Sequence, residues 1–203
     1  MFISKYWVSD VIEELKNEVD IAVEIPDITY LSWINSLHQL LYTEIIKEQK
    51  KVVLTSSLQS PVDISKIDID DEMEEQPRFE DIYAVYTNNG TQLMKSTLAS
   101  GVIFPNTFYK DNNKMGYNTK PTPESITIIY IVRPKIFNTT DEIEWCSIYL
   151  PDEFIDLVKA KLRGEAYKLA NEDELSAKWL NDYNVLLENF KAWIAEKSPD
   201  FGL

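Results

Sequence analysis

The fold depends on the joint at residues 133–154, which read RPKIFNTTDEIEWCSIYLPDEF. A β-like segment ends at Pro134, a short acidic loop follows, and Leu150-Pro151-Asp152-Glu153-Phe154 begins a helix. Proline fixes φ for a first helical turn, and acidic side chains there stabilise the positive end of the helix dipole. Because the stretch holds no set of catalytic side chains, we interpret it as a connection between a β-rich region and a helical one.

Two helices are predicted after this joint. The third helix of the chain is expected from about Asp152 to Ala170. The fourth is expected from Asn171, with Glu174 three residues later in a pattern like a capping box. The short connection between them predicts an antiparallel hairpin. Gly164 lies inside the third helix, where glycine costs about 1 kcal/mol relative to alanine, so it indicates the close approach of a neighbouring backbone.

The fourth helix carries a stripe of large side chains at steps of four, four, three, four and three residues, namely Leu175, Trp179, Tyr183, Leu186, Phe190 and Trp193. Tryptophan and tyrosine are enriched at the centres of interfaces. We therefore expect part of this surface to contact either the β region or a neighbouring subunit. The residues predicted to lie in a subunit interface are Gly164, Trp179, Tyr183, Phe190, Trp193 and Phe201.

Two further helices are predicted before the β-rich region. Residues 9–19 carry apolar side chains at helical spacing, with Ser9 in the position of an N-cap. The second helix is expected from about Asp27 to about Lys51, because apolar residues recur along it every three or four positions.

The middle of the chain, residues 52–150, is predicted to form a compact antiparallel β region. Asn89-Gly90 between two β-like runs is a strong signal for a hairpin with a type I′ turn. A second turn is expected at residues 110–114. The clearest strand is Ser125–Val132, whose apolar side chains occupy both faces.

These elements predict an α+β chain in which an antiparallel helical bundle, formed by the N- and C-terminal helices, carries a β-rich insertion between helices two and three. The predicted boundaries are 1–51 for the N-terminal helices, 52–150 for the insertion, 151–197 for the C-terminal helical hairpin and 198–203 for a tail.

Composition bounds the kinds of function that fit. A chain of 203 residues with 44% hydrophobic residues can bury a core without disulfides or a metal. Its 20 basic and 34 acidic residues give a net charge of −14, which disfavours sequence-independent binding to nucleic acid. The N-terminus lacks a signal-peptide pattern, and no apolar run approaches the roughly 20 residues of a membrane span. We therefore expect synthesis in the cytoplasm.

Candidate catalytic residues are few. His38 is the only histidine and Cys146 the only cysteine, and they lie too far apart in sequence for a Cys/His zinc site. The five glycines do not cluster into a phosphate-binding loop. We expect no enzyme activity, no cofactor and no bound metal.

Residues 61–81 form a predicted exposed acidic stretch, with nine acidic residues against Lys66 and Arg78. Carboxylates such as those of residues 68–72 offer oxygen ligands to Ca²⁺ or Mg²⁺. Because the run lacks the glycine and the spacing of an EF-hand, a solvated loop is the favoured interpretation. A carboxylate-metal enzyme that uses the acids at 63–81 is kept as an alternative.

The order of these parts resembles the head–tail adaptor (connector) proteins of tailed bacteriophages. The resemblance rests on Leu31-Ser32-Trp33-Ile34-Asn35 in the second helix, Arg133-Pro134 at a strand end, Asp141-Glu142 in an acidic loop, and the helix start Leu150–Phe154. It covers the two helical ends and the strand at 125–134. Residues 55–120 match no pattern of the family.

The resemblance implies a structural virion protein at the head–tail interface, present in the host cytoplasm during assembly. Such a protein forms a homo-oligomeric ring, of twelve copies, between the portal protein and a tail or further ring protein. DNA would pass through the ring only as cargo, and a negative channel wall would let it slide. No membrane is involved. An acidic DNA mimic that binds and inhibits a nucleic-acid-binding protein stays open as the alternative, because the net charge is −14.

Overall fold

The computed structural model describes residues 1–55, 60–69, 73–96, 104–112, 114–138 and 146–197. Its backbone divides into two compact units. We name them the helical unit, which comprises Met1–Ile46 with Ile136–Leu203, and the sheet unit, which comprises Lys47–Lys135. In the described part of the chain, no helix is long and apolar enough to cross a membrane.

The helical unit contains α1 at Val8–Glu18, α2 at Asp27–Leu40, α3 at Ile155–Leu169 and α4 at Asp173–Lys197. Helices α1, α2 and α3 bury apolar side chains spaced three or four residues apart, and α4 buries Tyr183, Phe190 and Ile194, seven and four residues apart, as expected for one face turned to a core. The fully buried ones include Val11 and Leu15 of α1, Leu31 and Ile34 of α2, Val158 and Leu162 of α3, and Phe190 of α4.

The prediction of an antiparallel helical bundle is wrong. The helices α3 and α4 form a closely packed antiparallel pair, whereas α1 and α2 pack on α3 and on each other. At a rise of about 1.5 Å per residue, the 11 residues of α1 span about 16 Å and the 25 residues of α4 span about 37 Å. The short helices contact α3 and not the full length of α4, so the arrangement is a helical hairpin with two shorter helices beside α3.

The second helix ends earlier than predicted. Its α-helical part stops at Leu40, and a π-helical turn, Leu41–Ile46, extends it by one turn. Lys47 then takes a left-handed conformation with φ at 50°, which ends the helical hydrogen-bonding pattern. Residues 49–51, predicted as part of the polar end of the helix, instead begin the first strand.

The connection between α3 and α4 also differs from the prediction. Asn171 does not begin α4. It has a φ of 62°, its N–H donates to the carbonyl of Lys168, and the N–H of Glu172 donates to the carbonyl of Tyr167. This pair of bonds is the Schellman motif that closes a helix, so Asn171 belongs to the end of α3 and α4 begins two residues later.

The sheet unit contains six strands in its described residues: β1 at Gln49–Thr55, β2 at Ile82–Thr87, β3 at Gln92–Lys95, β4 at Thr107–Asp111, β5 at Lys114–Asn118 and β6 at Ser125–Ile131. Their order across the sheet is β1-β6-β2-β3-β4-β5. The prediction of an antiparallel region is wrong, because β3 and β4 are parallel, with Met94 opposite Thr107. Eleven residues separate these two strands, more than a hairpin turn needs.

One face of the sheet carries the core of this unit. Register places Val52, Ile128, Val85 and Leu93 in a single row across β1, β6, β2 and β3. Val85, Leu93 and Ile128 are at most 1% exposed, and Val52 packs against them. The predicted strand at 125–132 is β6, which is paired on both sides, with β1 and β2, and buries Ile126, Ile128 and Tyr130 in the core.

The predicted hairpin at Asn89-Gly90 joins β2 to β3, but its turn is not type I′. Only Gly90 has a positive φ, of 82°, among the turn residues, whereas type I′ requires a positive φ at both central positions. The loop is two residues longer, with Thr87 N–H donating to the carbonyl of Thr91. The second predicted turn, at 110–114, joins β4 to β5.

Candidate assembly surfaces

Gly164 of α3 lies in close contact with Leu180 of α4. A Cβ atom added there would lie 2.7 Å from Leu180 Cδ2 and 3.3 Å from the backbone nitrogen of Leu180. The Gly164 carbonyl also accepts a buried hydrogen bond of 2.9 Å from Ser176 Oγ. The expected close neighbour of Gly164 is therefore found, and it is α4 of the same chain.

An aromatic cluster fixes the other end of this hairpin. The ring of the fully buried Phe190 lies 4.9 Å from that of Phe154 and 6.2 Å from that of Trp193, between centroids. Trp193, which is half-buried, also lies 5.6 Å from Phe2. Edge, tilted and stacked ring contacts of this kind contribute beyond the area they bury, so the cluster fastens the N-terminal segment to α4.

Trp179 and Tyr183 contact basic side chains of α3. The Arg163 guanidinium carbon lies 4.6 Å from the Trp179 ring centroid, and Arg163 also forms an ion pair with Glu18 of α1. Lys161 Nζ lies 5.3 Å from the ring of Tyr183. Cation–π contacts of this geometry are attractive. Both aromatic residues therefore have partners inside the chain, although Trp179 keeps part of its surface exposed.

Of the six residues predicted for a subunit interface, Phe201 lies outside the described residues. Gly164, Tyr183 and Phe190 are buried within the chain. Trp179 and Trp193 are half-buried. The structure brings all five onto the α3–α4 hairpin, and their contact with another subunit stays a prediction.

The N-terminal segment pairs with the end of the joint. The N–H of Ser4 donates to the carbonyl of Ile148 at 2.9 Å, and that of Val8 donates to Cys146 at 2.8 Å. Asp152 accepts from Ser4 Oγ at 2.7 Å and from the N–H of Lys5 at 2.9 Å, and these bonds hold the pKa of its carboxyl below the usual range. Asp152 therefore anchors residues 4 and 5, and α3 begins three residues after it, later than predicted.

Asn35, the last residue of the quoted α2 motif, holds the start of the joint. Its Nδ2 donates to the carbonyl of Phe137 at 2.8 Å, and its Oδ1 accepts from the N–H of Phe137 at 3.1 Å. Beside this contact lies an open groove of about 490 Å³, lined on α2 by Ile28, Ser32 and Gln39 among others. Residues 139–145, which include the predicted acidic loop Asp141-Glu142, are outside the described residues.

His38 is buried at the same joint. Its Nε2 accepts from the N–H of Tyr149 at 3.2 Å, and burial lowers its pKa to about 3. Its Nδ1 has no hydrogen-bond partner among the residues that the structure describes. The neutral imidazole of His38 therefore has a structural role, because it accepts the hydrogen bond of the buried Tyr149 N–H. Cys146 is half-buried, and its carbonyl bonds to Val8, as given above.

The acidic stretch at 61–81 is less exposed than predicted. Asp81 is 3% exposed, accepts from Arg133 Nε at 2.6 Å and accepts from the N–H of Arg78 at 2.8 Å. Glu74 is 8% exposed and pairs with Lys50. These carboxylates are buried because cations neutralise them. Within the described residues no group of three or more His, Cys, Asp or Glu is placed to hold a metal, and Asp70 and Asp71 lie outside that part of the chain.

Sequence reasoning singled out Arg133 and Asn35 as parts of short patterns but assigned them no partners. The structure shows that Arg133 neutralises Asp81 and that Asn35 bonds to Phe137. An arginine at the end of an apolar strand is a signal for a buried acidic partner, because an unpaired charge there is costly. The position of the partner in the chain could not be derived from one sequence.

The chain was compared with curated proteins and with models of protein families. No curated protein matches it. Residues 8–196 match the family model described as SU10 adaptor protein, and this match covers the sheet and all four helices except the last residue of α4. The resemblance to phage adaptors is therefore confirmed at the level of the family, and the chain belongs to the SU10 adaptor protein family, as a phage adaptor and a structural component of the virion.

Proposed function

We propose that this protein forms a homo-oligomeric ring between the portal protein and the tail and so joins the phage head to the tail. The observation that carries the proposal is the family match over residues 8–196. The ring would contain twelve copies and would contact the portal on one side and a tail or further ring protein on the other. The proposed role is structural and needs no catalysis or cofactor.

The charge of the chain supports DNA passage through such a ring. The helical unit holds 22 of the 34 acidic residues and 9 of the 20 basic ones, so most of the net negative charge lies there. Acidic side chains repel the phosphate backbone and do not retain it. A ring that presents this charge to its centre would let DNA slide as cargo.

The proposed contact between subunits uses the α3–α4 hairpin. Trp179 and Trp193 expose part of their surface and would face a neighbouring subunit. Gly164, Tyr183 and Phe190 are buried and would act by holding the hairpin in shape. Phe201 completes the proposed set.

The proposal is tested by native mass spectrometry and negative-stain imaging of the purified protein, alone and with its portal protein. Rings, alone or on the portal, are expected. Trp179→Ala should lower the yield of rings, while Trp7→Ala, which truncates a tryptophan 43% exposed and outside α4, should not. Circular dichroism checks that both variants fold. A strict monomer that ignores the portal would contradict the proposal.

A DNA mimic is the second candidate function, because the acidic residues are concentrated in one unit. Such a protein would stay monomeric or dimeric and would bind a nucleic-acid-binding protein in competition with DNA. A competition assay distinguishes it from a ring protein. Only a mimic would displace a labelled DNA duplex from the nucleic-acid-binding protein that the mimic binds.

A further inference from the structure

The face of the sheet opposite the core carries no acidic side chain across four adjacent strands. Strands β1, β6, β2 and β3 contain no Asp or Glu, although the chain has 34 acidic residues. Register places Val53, Thr127 and Tyr86 in one row and Lys51 beside Ile129 in the next. We name this surface, together with Met94 of β3, the outer face.

The outer face is apolar and open to solvent. Val53 is 53% exposed and Met94 is 67% exposed, whereas the core row on the other face is buried. Tyr86, Ile129 and Ile131 are half-buried. Val53 on β1 and Met94 on β3 are joined across this face by the half-buried Ile129 and Tyr86 of the two strands between them. Partly exposed apolar surface with a lysine and no acid is typical of an interaction surface.

The charges of the two units show which partner fits this face. The sheet unit has 12 acidic and 11 basic residues, while the helical unit has 22 and 9. A second copy of the chain therefore offers a strongly acidic surface to an acid-free one. Nucleic acid fits poorly, because the face contributes one exposed lysine, Lys51, and the whole chain repels phosphate.

The outward side of α4 has the matching pattern. Val185 is 56% exposed, and Asp182 and Glu188 lie three residues before and after it, on the same side of the helix. Glu188 forms an ion pair with Lys191 at 2.7 Å, so Asp182 is the acid beside Val185 that is complementary to Lys51 beside Val53. Leu175, 41% exposed, adds further apolar surface to the same helix.

We propose that the outer face of one copy binds the outward side of α4 of a second copy, with Val53 against Val185 and with Lys51 close to Asp182. The contact joins two different surfaces, and such a heterologous contact is the kind that generates rings. The inference rests on the proposed ring, and it adds the pair of surfaces through which neighbouring copies meet.

Photo-crosslinking from the outer face tests the contact. The full chain, with p-benzoylphenylalanine in place of Val53, is irradiated alone and with the portal protein, as a mixture of isotopically light and heavy copies. We expect crosslinked dimers of mixed isotope content whose second site lies within residues 173–197. No dimer in either sample, or crosslinks only to residues 47–135 of the second copy, would overturn the proposal.

A charge reversal gives an independent test. Lys51→Glu places an acid on the outer face opposite acidic residues, so the crosslinked yield should fall roughly tenfold. Lys120→Glu is the matched control, because Lys120 is an exposed lysine of the same unit outside the outer face, and its yield should be unchanged. Equal yields from both variants would overturn the proposal. If rings form on the portal but these crosslinks do not, the ring function is supported and the proposed contact is wrong. If the crosslinks form but rings do not, the contact is supported and the ring function is wrong.

Discussion

Asn35 and Phe137, 102 positions apart, are joined by two hydrogen bonds between the side-chain amide of Asn35 and the backbone of Phe137, at 2.8 and 3.1 Å. An amide side chain supplies the donor and the acceptor that one backbone residue needs. The contact holds the backbone of residue 137 against α2. These two hydrogen bonds explain why an asparagine occupies this position of α2.

Asn35→Ala should therefore destabilise the protein by about 2 kcal/mol, because it leaves a partly buried N–H and C=O of Phe137 without partners. Asn35→Asp should cost a similar amount, since a carboxylate cannot donate to the carbonyl. Urea denaturation measures both. Ser36→Ala, on the exposed side of the same helix, is the control and should change the free energy of unfolding by less than about 0.5 kcal/mol.

Gly164→Ala should destabilise the protein, although alanine is favoured over glycine in most helices by about 1 kcal/mol. The added Cβ would lie 2.7 Å from Leu180, and the resulting overpacking costs about 1–3 kcal/mol. Thermal unfolding of Gly164→Ala, Leu180→Ala and the double variant tests the cause. The double variant should be more stable than the sum of the two single effects predicts. Additive effects would show that Leu180 is not the obstacle.

His38 should make the protein less stable in mild acid. Its pKa is about 3 when folded against 6.5 as the ordinary value. Between these values the unfolded chain binds a proton that the folded chain excludes, so stability is complete above pH 6.5 and falls as the pH decreases. From pH 7 to pH 5 the loss is about 2 kcal/mol. His38→Gln, which keeps an acceptor for Tyr149, should lack this component, and identical urea midpoints against pH in both proteins would refute it.

Arg133→Met should be strongly destabilising, by about 3 kcal/mol, because it leaves the carboxylate of Asp81 buried without its cation. Arg78→Met removes an arginine that is 56% exposed at its side chain and is the matched control, with an effect below about 0.5 kcal/mol. The double variant Arg133→Met with Asp81→Asn should recover part of the free energy of unfolding lost in Arg133→Met, because it no longer buries an unpaired carboxylate. Denaturant unfolding measures each, and equal losses for the two arginines would contradict the assignment.

The sequence predicted elements better than it predicted their arrangement. The hydrophobic period located α1, β6 and the α3–α4 hairpin, because each has a buried face of regular spacing. The end of α2 was missed because Lys47 adopts a left-handed conformation that its residue type does not announce. The parallel β3–β4 pair was missed because strand direction depends on tertiary pairing, which local pattern does not encode.

The same limit applied to the candidate surfaces. The aromatic stripe of α4 was visible from its spacing, but the rings that contact it come from Phe2 and Phe154, distant in sequence. The acids at 61–81 were predicted to be exposed to solvent. A carboxylate can be buried when a cation pairs with it, and that cation cannot be identified from the acidic stretch itself. For Asp81 that cation is Arg133, 52 residues away.

The pairing of residues 4–8 with residues 146–148 has a consequence for synthesis on the ribosome. The sheet unit is one continuous segment, so it can fold as soon as residue 135 has emerged. The first two helices emerge earlier, yet α3, on which both pack, is made only after the sheet unit. Until then the apolar side chains that face α3 stay uncovered. We expect a nascent chain stalled before residue 146 to show a folded sheet and protease-sensitive N-terminal helices, with protection of those helices only after α3 is released.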